Sequence, residues 1–137
     1  MAYRIRRVEY FHATVVDQPG EAYRVLHALA GLGVSLLGFT AVPVGPESTQ
    51  LTLFPEDSGK MRSEAQKAGM ALDGPHRALL VQGDDELGAL ATVHEKIYRS
   101  NVNVYASSAI ADGAGKYGHL IYVRPEDFER AAKALEV

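Results

Sequence analysis

Two short runs carry most of the chemistry that this sequence offers. In Val16-Asp17-Gln18-Pro19-Gly20-Glu21-Ala22, an aspartate ends an alternating stretch and a Pro-Gly pair opens a helical one. Pro19 fixes φ for a tight turn, and Gly20 lets the backbone approach another atom closely. Free N–H groups at a helix start bind a carboxylate, and an aspartate beside them accepts a hydrogen bond from an ammonium group. Together they suit a zwitterion, which is what a free amino acid is. The plainer reading makes Asp17 a helix cap and Pro19-Gly20 an ordinary turn, and spacing alone leaves both open. The second run, Gly83-Asp84-Asp85-Glu86, holds adjacent carboxylates without further ligand spacing. It reads as a solvated loop or a helix start.

Other chemistry finds little support. The five histidines, His12, His27, His76, His94 and His119, form neither His-x-His nor an i, i+4 pair. A metal centre would need strands to bring His12, His76 or His119 together. Gly-x-Ser-x-Gly, the nucleophile-elbow signature, does not occur. With no Cys, disulfides, thiolate metal sites, Cys nucleophiles and CxxC redox chemistry are excluded. No catalytic residue, metal ligand or cofactor is therefore expected. The 137 residues hold 14 Lys plus Arg against 17 Asp plus Glu, a formal charge of −3. Residues 1–68 carry seven basic and seven acidic side chains, and residues 69–137 carry seven and ten. Neither half has the positive excess that drives binding to a phosphate backbone, and Arg4, Arg6 and Arg7 read as a solvated end. No apolar run reaches about 18 residues, and no apolar core follows the basic N-terminus. A soluble, cytoplasmic chain without nucleic-acid or membrane partners is expected.

The elements that must position these residues occur twice. A shift of 68 lays Asp17 on Asp85, Gly20 on Gly88, Val25 on Val93, Val34 on Val102 and Ala41 on Ala109. Pro55-Glu56-Asp57 recurs as Pro125-Glu126-Asp127 at a shift of 70, which places two extra residues in the turn Ala111–Gly115. Each copy begins with an alternating strand, Val8 to Val16 or His76 to Gln82. A helix follows, with Ala22, Val25, Leu26, Leu29 and Leu32 or Leu90, Val93 and Ile97 at helical spacing. Gly31 and Gly33 fit the end of the first helix and Asn101 that of the second. Second strands are expected over 34–42 and 102–110, and hairpin turns lead to third strands over 49–54 and 117–123. A second helix carries Met61, Ala65 and Ala68, or the clearer stripe Phe128, Ala131, Ala132 and Leu135. A short fourth strand is expected near Met70 to Leu72. Copy two has almost no room for its own, which is expected to be short or missing, with its sheet edge covered by the other copy, a second chain, or residues 1–7.

This order, β-α-β-β-α-β, is the α+β ferredoxin-like arrangement, an antiparallel sheet with helices on one face. Two repeats are expected, over residues 1–73 and 74–137, since one copy alone makes a marginal core. RNA-recognition modules share the order, and Lys116-Tyr117-Gly118-His119-Leu120-Ile121-Tyr122-Val123 catches part of their signature. It lacks the first Gly and the central stacking aromatic, and copy one offers only Gln50-Leu51-Thr52-Leu53-Phe54.

The turn Asp17-Gln18-Pro19-Gly20, its helix and the strand start Gly33-Val34-Ser35-Leu36 resemble the ACT domain, a small regulatory module attached to enzymes of amino-acid metabolism. In copy two, Asp85-Glu86-Leu87-Gly88 keeps Asp and Gly but loses Pro, while Asn101-Val102-Asn103-Val104 keeps the family's Asn. The resemblance spans essentially the whole chain as two modules. It implies ligand binding without catalysis, with an effector between one module's turn and the neighbour's second strand. Carried over, Asp17, Gln18, Pro19 and Gly20 would act with Asn103, and Asp85, Leu87 and Gly88 with Ser35. The second set is the degraded one, through the lost Pro and the short Ser. The resemblance implies a non-catalytic, amino-acid-binding regulator, a homodimer, and a partner enzyme of amino-acid metabolism. An assembly module with a vestigial pocket, a small ferredoxin-like enzyme and an RNA-binding module are the alternatives.

Overall fold

The computed structural model describes residues 3–137. Its elements are β1 (Tyr3–Val16), α1 (Glu21–Gly31), β2 (Leu36–Pro43), β3 (Ser48–Pro55), α2 (Ser58–Lys67), β4 (Asp73–Asp84), α3 (Ala89–Arg99), β5 (Ala106–Ala111) and β6 (Lys116–Tyr122), then a 3-10 turn, Pro125–Asp127, and α4 (Phe128–Ala134). The α+β fold has six antiparallel strands, hydrogen-bonded in the order β2-β3-β1-β4-β6-β5. Contacts divide the chain into two compact units, Glu9–His76 and a unit joining the segment up to Val8 with Arg77–Val137.

That division departs from the expected boundary after residue 73. β1 has 14 residues and β4 has 12, against the five or six of an ordinary strand. Each serves one unit with its first part and the other with its second.

In the unit Glu9–His76, β1 pairs with β3 in the register Phe11↔Leu53 and Ala13↔Leu51. β2 continues it with Phe39↔Leu53 and Ala41↔Leu51. Because side chains alternate across a strand, Phe11, Ala13, Leu51 and Leu53 share one face, where they meet Val25 and Leu29 of α1 and Met61 of α2. Asp57 starts α2 by accepting a hydrogen bond from Lys60 N at 3.0 Å. The fourth strand begins at Asp73, not at Met70 to Leu72. Met70 and Leu72 instead pack against this core from the preceding loop. Gly74 sets the strand's position: its φ is +146°, and a Cβ there would stand 2.8 Å from the Tyr10 carbonyl oxygen.

In the other unit, β4 pairs with β6 in the register Leu79↔Ile121 and Val81↔His119. Leu79, Val81, Tyr117 and Ile121 pack on Val93 and Ile97 of α3 and on Phe128, Ala131 and Ala132 of α4. Tyr3 and Ile5 pack against this same core. Of the three covers named for the edge of copy two, the N-terminal segment is found here; Met1 and Ala2 lie outside the described residues. Arg6 and Arg7 are consequently not a solvated end. Arg6 Nη2 donates to Gln82 Oε1 at 2.9 Å. Arg7 Nη1 donates to Glu129 Oε2 at 2.9 Å, as does Arg77 Nη1, and the Arg77 guanidinium lies 4.1 Å from the Phe128 ring centre.

Equivalent backbone bonds recur between the units. Val44 N donates to Ser48 O at 3.0 Å and Asp112 N to Lys116 O at 2.9 Å, so the shift of 68 holds through both hairpins. The two extra residues of copy two therefore fall after β6, ahead of the 3-10 turn, and not in Ala111–Gly115. Both second strands also begin later than expected. Val34 N bonds Leu29 O and Val102 N bonds Ile97 O, closing the helix ends after Gly33 and Asn101, whose φ values are +76° and +60°.

Candidate functional site

The two strand-to-helix turns have one geometry. Gly20 and Gly88 stand at the N-caps of α1 and α3 with φ of 86° and 82°, a conformation that a side chain disfavours. Asp17 N donates to Glu47 O at 2.9 Å, and Asp85 N donates to Gly115 O at 2.9 Å, tying each turn to its unit's hairpin. Neither helix has a side-chain cap. The plainer reading of Asp17 as a cap thus fails, because a glycine occupies the capping position. In α3, Ala89 N bonds Glu86 O and Thr92 N bonds Gly88 O. The N–H groups of Leu90 and Ala91 are left without an intrahelical partner.

A cavity of about 510 Å³ opens at the second turn, lined by Asp85, Glu86, Leu87, Gly88, Leu90, Ala109, Ile110, Ala111 and Tyr117 among others. Its wall is apolar: Leu87 is fully exposed and Ile110 is 79 % exposed. Tyr117 is 6 % exposed, and its hydroxyl is buried without a hydrogen-bond partner. Burial, with smaller contributions from Tyr3 and Glu86, pushes its pKa up, so the group is a donor at neutral pH.

Of the nine residues singled out, Asp85, Leu87 and Gly88 meet around this cavity. Asp17, Gln18, Pro19 and Gly20 form the exposed turn before α1. Ser35 and Asn103 are exposed and stand just before β2 and β5. The cavity is walled by the end of β5, so within its unit Asn103 lies about 20 Å along the strand from Ala109. Sequence reasoning missed Tyr117, Leu90 and Ile110. The alternation Tyr117, His119, Ile121 was a usable signal, since it places the Tyr117 ring on the buried face.

Among the histidines, β1 and β4 bring His12 and His76 to a ring-centre distance of 5.3 Å. His12 Nδ1 shares a hydrogen bond with Thr52 Oγ1 at 3.1 Å, and His76 Nε2 lies 3.1 Å from Asp73 Oδ2. Burial, and then the neighbouring His76, lower the pKa of His12. His119 stacks instead on His94 in the other unit. Among the described residues, no three His, Cys, Asp or Glu side chains are placed to hold a metal ion.

No protein-family model matches the sequence, and no curated protein does either. Solved structures do match. Protein BT0572 from Bacteroides thetaiotaomicron is similar with a TM-score of 0.80 at 15% identity, over 96% of this chain and 88% of that one. The regulatory subunit of aspartate kinase from Thermus thermophilus, in its ligand-free form, follows at 0.62 and 15%, over 98% and 95%. The alpha and beta subunits of an aspartokinase give 0.58 and 18%, over 98% and 95%. At these identities the likeness is one of fold.

Proposed function

We propose that the chain is two ferredoxin-like repeats that act as a non-catalytic regulator, binding a small amino-acid effector at the strand-to-helix turns. One observation carries this reading: a helix start with no side-chain cap opens onto a cavity that also holds carboxylates. The Leu90 and Ala91 N–H groups suit the effector's carboxylate, and Asp85 and Glu86 suit its ammonium group. The repeated geometry at Asp17, Gln18, Pro19 and Gly20 makes that turn a second binding candidate, with Asn103 of a neighbouring module proposed as its contributor, as Ser35 is for Asp85, Leu87 and Gly88. An effector that favours one arrangement of the protein shifts its population toward that arrangement. The reading places the signal's receiver in a homodimer mate or in a partner enzyme of amino-acid metabolism. The fold shared with a regulatory subunit of aspartate kinase supports this.

Calorimetric titration of the full chain with each of the twenty amino acids tests the proposal. At least one should bind, with a loss of about tenfold or more in Asp85→Ala or Asp17→Ala, the loss expected when a charge-assisted hydrogen bond is removed. Absence of heat with all of them refutes the effector reading and favours an assembly module.

A further inference from the structure

β4 serves the unit Glu9–His76 only with its first residues, Asp73-Gly74-Pro75-His76. That segment is lightly held. Pro75 has no N–H to give to a strand ladder, and Asp73 and Gly74 are exposed. Its last residue sets an imidazole against His12 of β1, with ring centres 5.3 Å apart. Each of these rings also lies 5.2 Å from the ring of Tyr10. We propose that His12 and His76 form a proton-operated latch, which holds the start of β4 on β1 while the pair is uncharged and releases it when both rings are charged. The latch works whether or not an effector binds at the turns.

The surroundings decide how many protons the pair can hold. Around the two rings stand Tyr10 of β1, Gln50 and Thr52 of β3 and Asp73 of β4. Of these, only Asp73 is charged at neutral pH, and the loop before β4 adds the apolar Ala71 and Leu72. Asp73 Oδ2 lies 3.1 Å from His76 Nε2, so an imidazolium at His76 has a counter-ion. A second imidazolium, at His12, must share that carboxylate with a like charge one ring away. Burial first, and then His76, lower the pKa of His12, and Asp73 and the Leu51 backbone act in the opposite sense. Once the segment is detached, His12 meets water and charges near the ordinary 6.5. Attachment is therefore full above that pH and weakens as the pH falls below it. The first proton is tolerated and the second is disruptive, as in any closely coupled pair. A cavity of about 480 Å³, lined by both His12 and Asp73, lies beside the rings. Release of Asp73 opens it, and water then supplies the hydration that a half-buried imidazolium lacks.

An NMR titration of the full chain, without added ligand, from about pH 7.5 to about pH 5 tests the latch. Nuclear Overhauser contacts of the His76 ring with His12 and Tyr10 should be present at the upper pH and lost at the lower. Contacts between Phe11 and Leu53, cross-strand partners in the core of the same unit, should persist throughout. His12→Gln is measured alongside, since glutamine can still hydrogen-bond the Thr52 hydroxyl but cannot charge. In that variant the contact of His76 with Tyr10 should survive at the lower pH. Survival of the His12–His76 contact at the lower pH in the natural chain overturns the proposal, and that result needs no variant. Loss of the His76–Tyr10 contact in His12→Gln at the same pH as in the natural chain overturns it too, because the release then does not need the second charge. Loss of the Phe11–Leu53 contact together with those of His76 means that the whole unit unfolds, and it also overturns the latch.

Discussion

His119 stacks on His94 with ring centres 5.1 Å apart, and their Nε2 atoms lie 3.3 Å apart. It is 1 % exposed, and its Nδ1 is buried without a hydrogen-bond partner. Burial first, and then His94, lower its pKa from 6.5 to about 4. The folded state thus takes up its proton at lower pH than the unfolded chain, so stability is full above pH 6.5 and drains away as pH falls toward 4. The loss attributable to this residue amounts to at most about 3 kcal/mol. Chemical denaturation between pH 7 and 4 should show the decline, and His119→Leu should flatten it. A slope unchanged by the substitution would assign the acid sensitivity elsewhere. The alternating pattern located His119 on a strand, but its partner on α3 is 25 residues away in sequence. No local spacing rule links the two.

At the scale of elements, three positions separate local conformation from packing. Gly88→Ala meets open space but must hold a positive φ, so it should cost roughly 1–2 kcal/mol. Gly74→Ala adds a collision with the Tyr10 carbonyl and the Phe11 ring. It should cost clearly more, on the order of 3 kcal/mol or above, because strain and overpacking combine. Asp57→Ala removes the α2 cap and should cost about 1 kcal/mol. Urea denaturation of the three variants checks the ranking, and equal losses for the two glycine variants would contradict the close approach at Gly74. Most of these elements were legible from period and turn chemistry: the stripe Phe128, Ala131, Ala132 and Leu135 is buried as its spacing predicts. The fourth strand of the first unit was not, because Asp73-Gly74-Pro75-His76 has no apolar alternation and is held by its approach to Tyr10. The cavity was half legible. Asp85, Leu87 and Gly88 stand together in sequence, whereas Tyr117 reaches the same place from a strand 29 residues beyond Gly88.

At the scale of the molecule, the segment Tyr3–Val8 belongs with residues 77–137 and not with its own sequence neighbours. Tyr3 and Ile5 add apolar contact there, and Lys96 Nζ donates to the Tyr3 hydroxyl at 2.5 Å. Deleting residues 1–8 should cost that unit about 3 kcal/mol or more, the burial of two large side chains. Hydrogen exchange should then show faster exchange in β4, β6 and α3, with α1 and α2 much less affected. Equal loss of protection in both units would mean that they unfold as one cooperative body.

The sequence by itself determined what depends on near neighbours: the helices, the glycine turns, the face that each strand buries and the twofold recurrence of the pattern. These follow from periods of 2 and 3.6 residues and from backbone preferences, which act over a few positions. The tertiary structure alone decided which unit the N-terminal strand completes, that Arg6 and Arg7 anchor it, and that Tyr117 joins the lining of the cavity at Asp85–Gly88. Those outcomes depend on strand partners far apart in the chain, whose pairing is selected by the burial of whole faces rather than by any single stretch of residues.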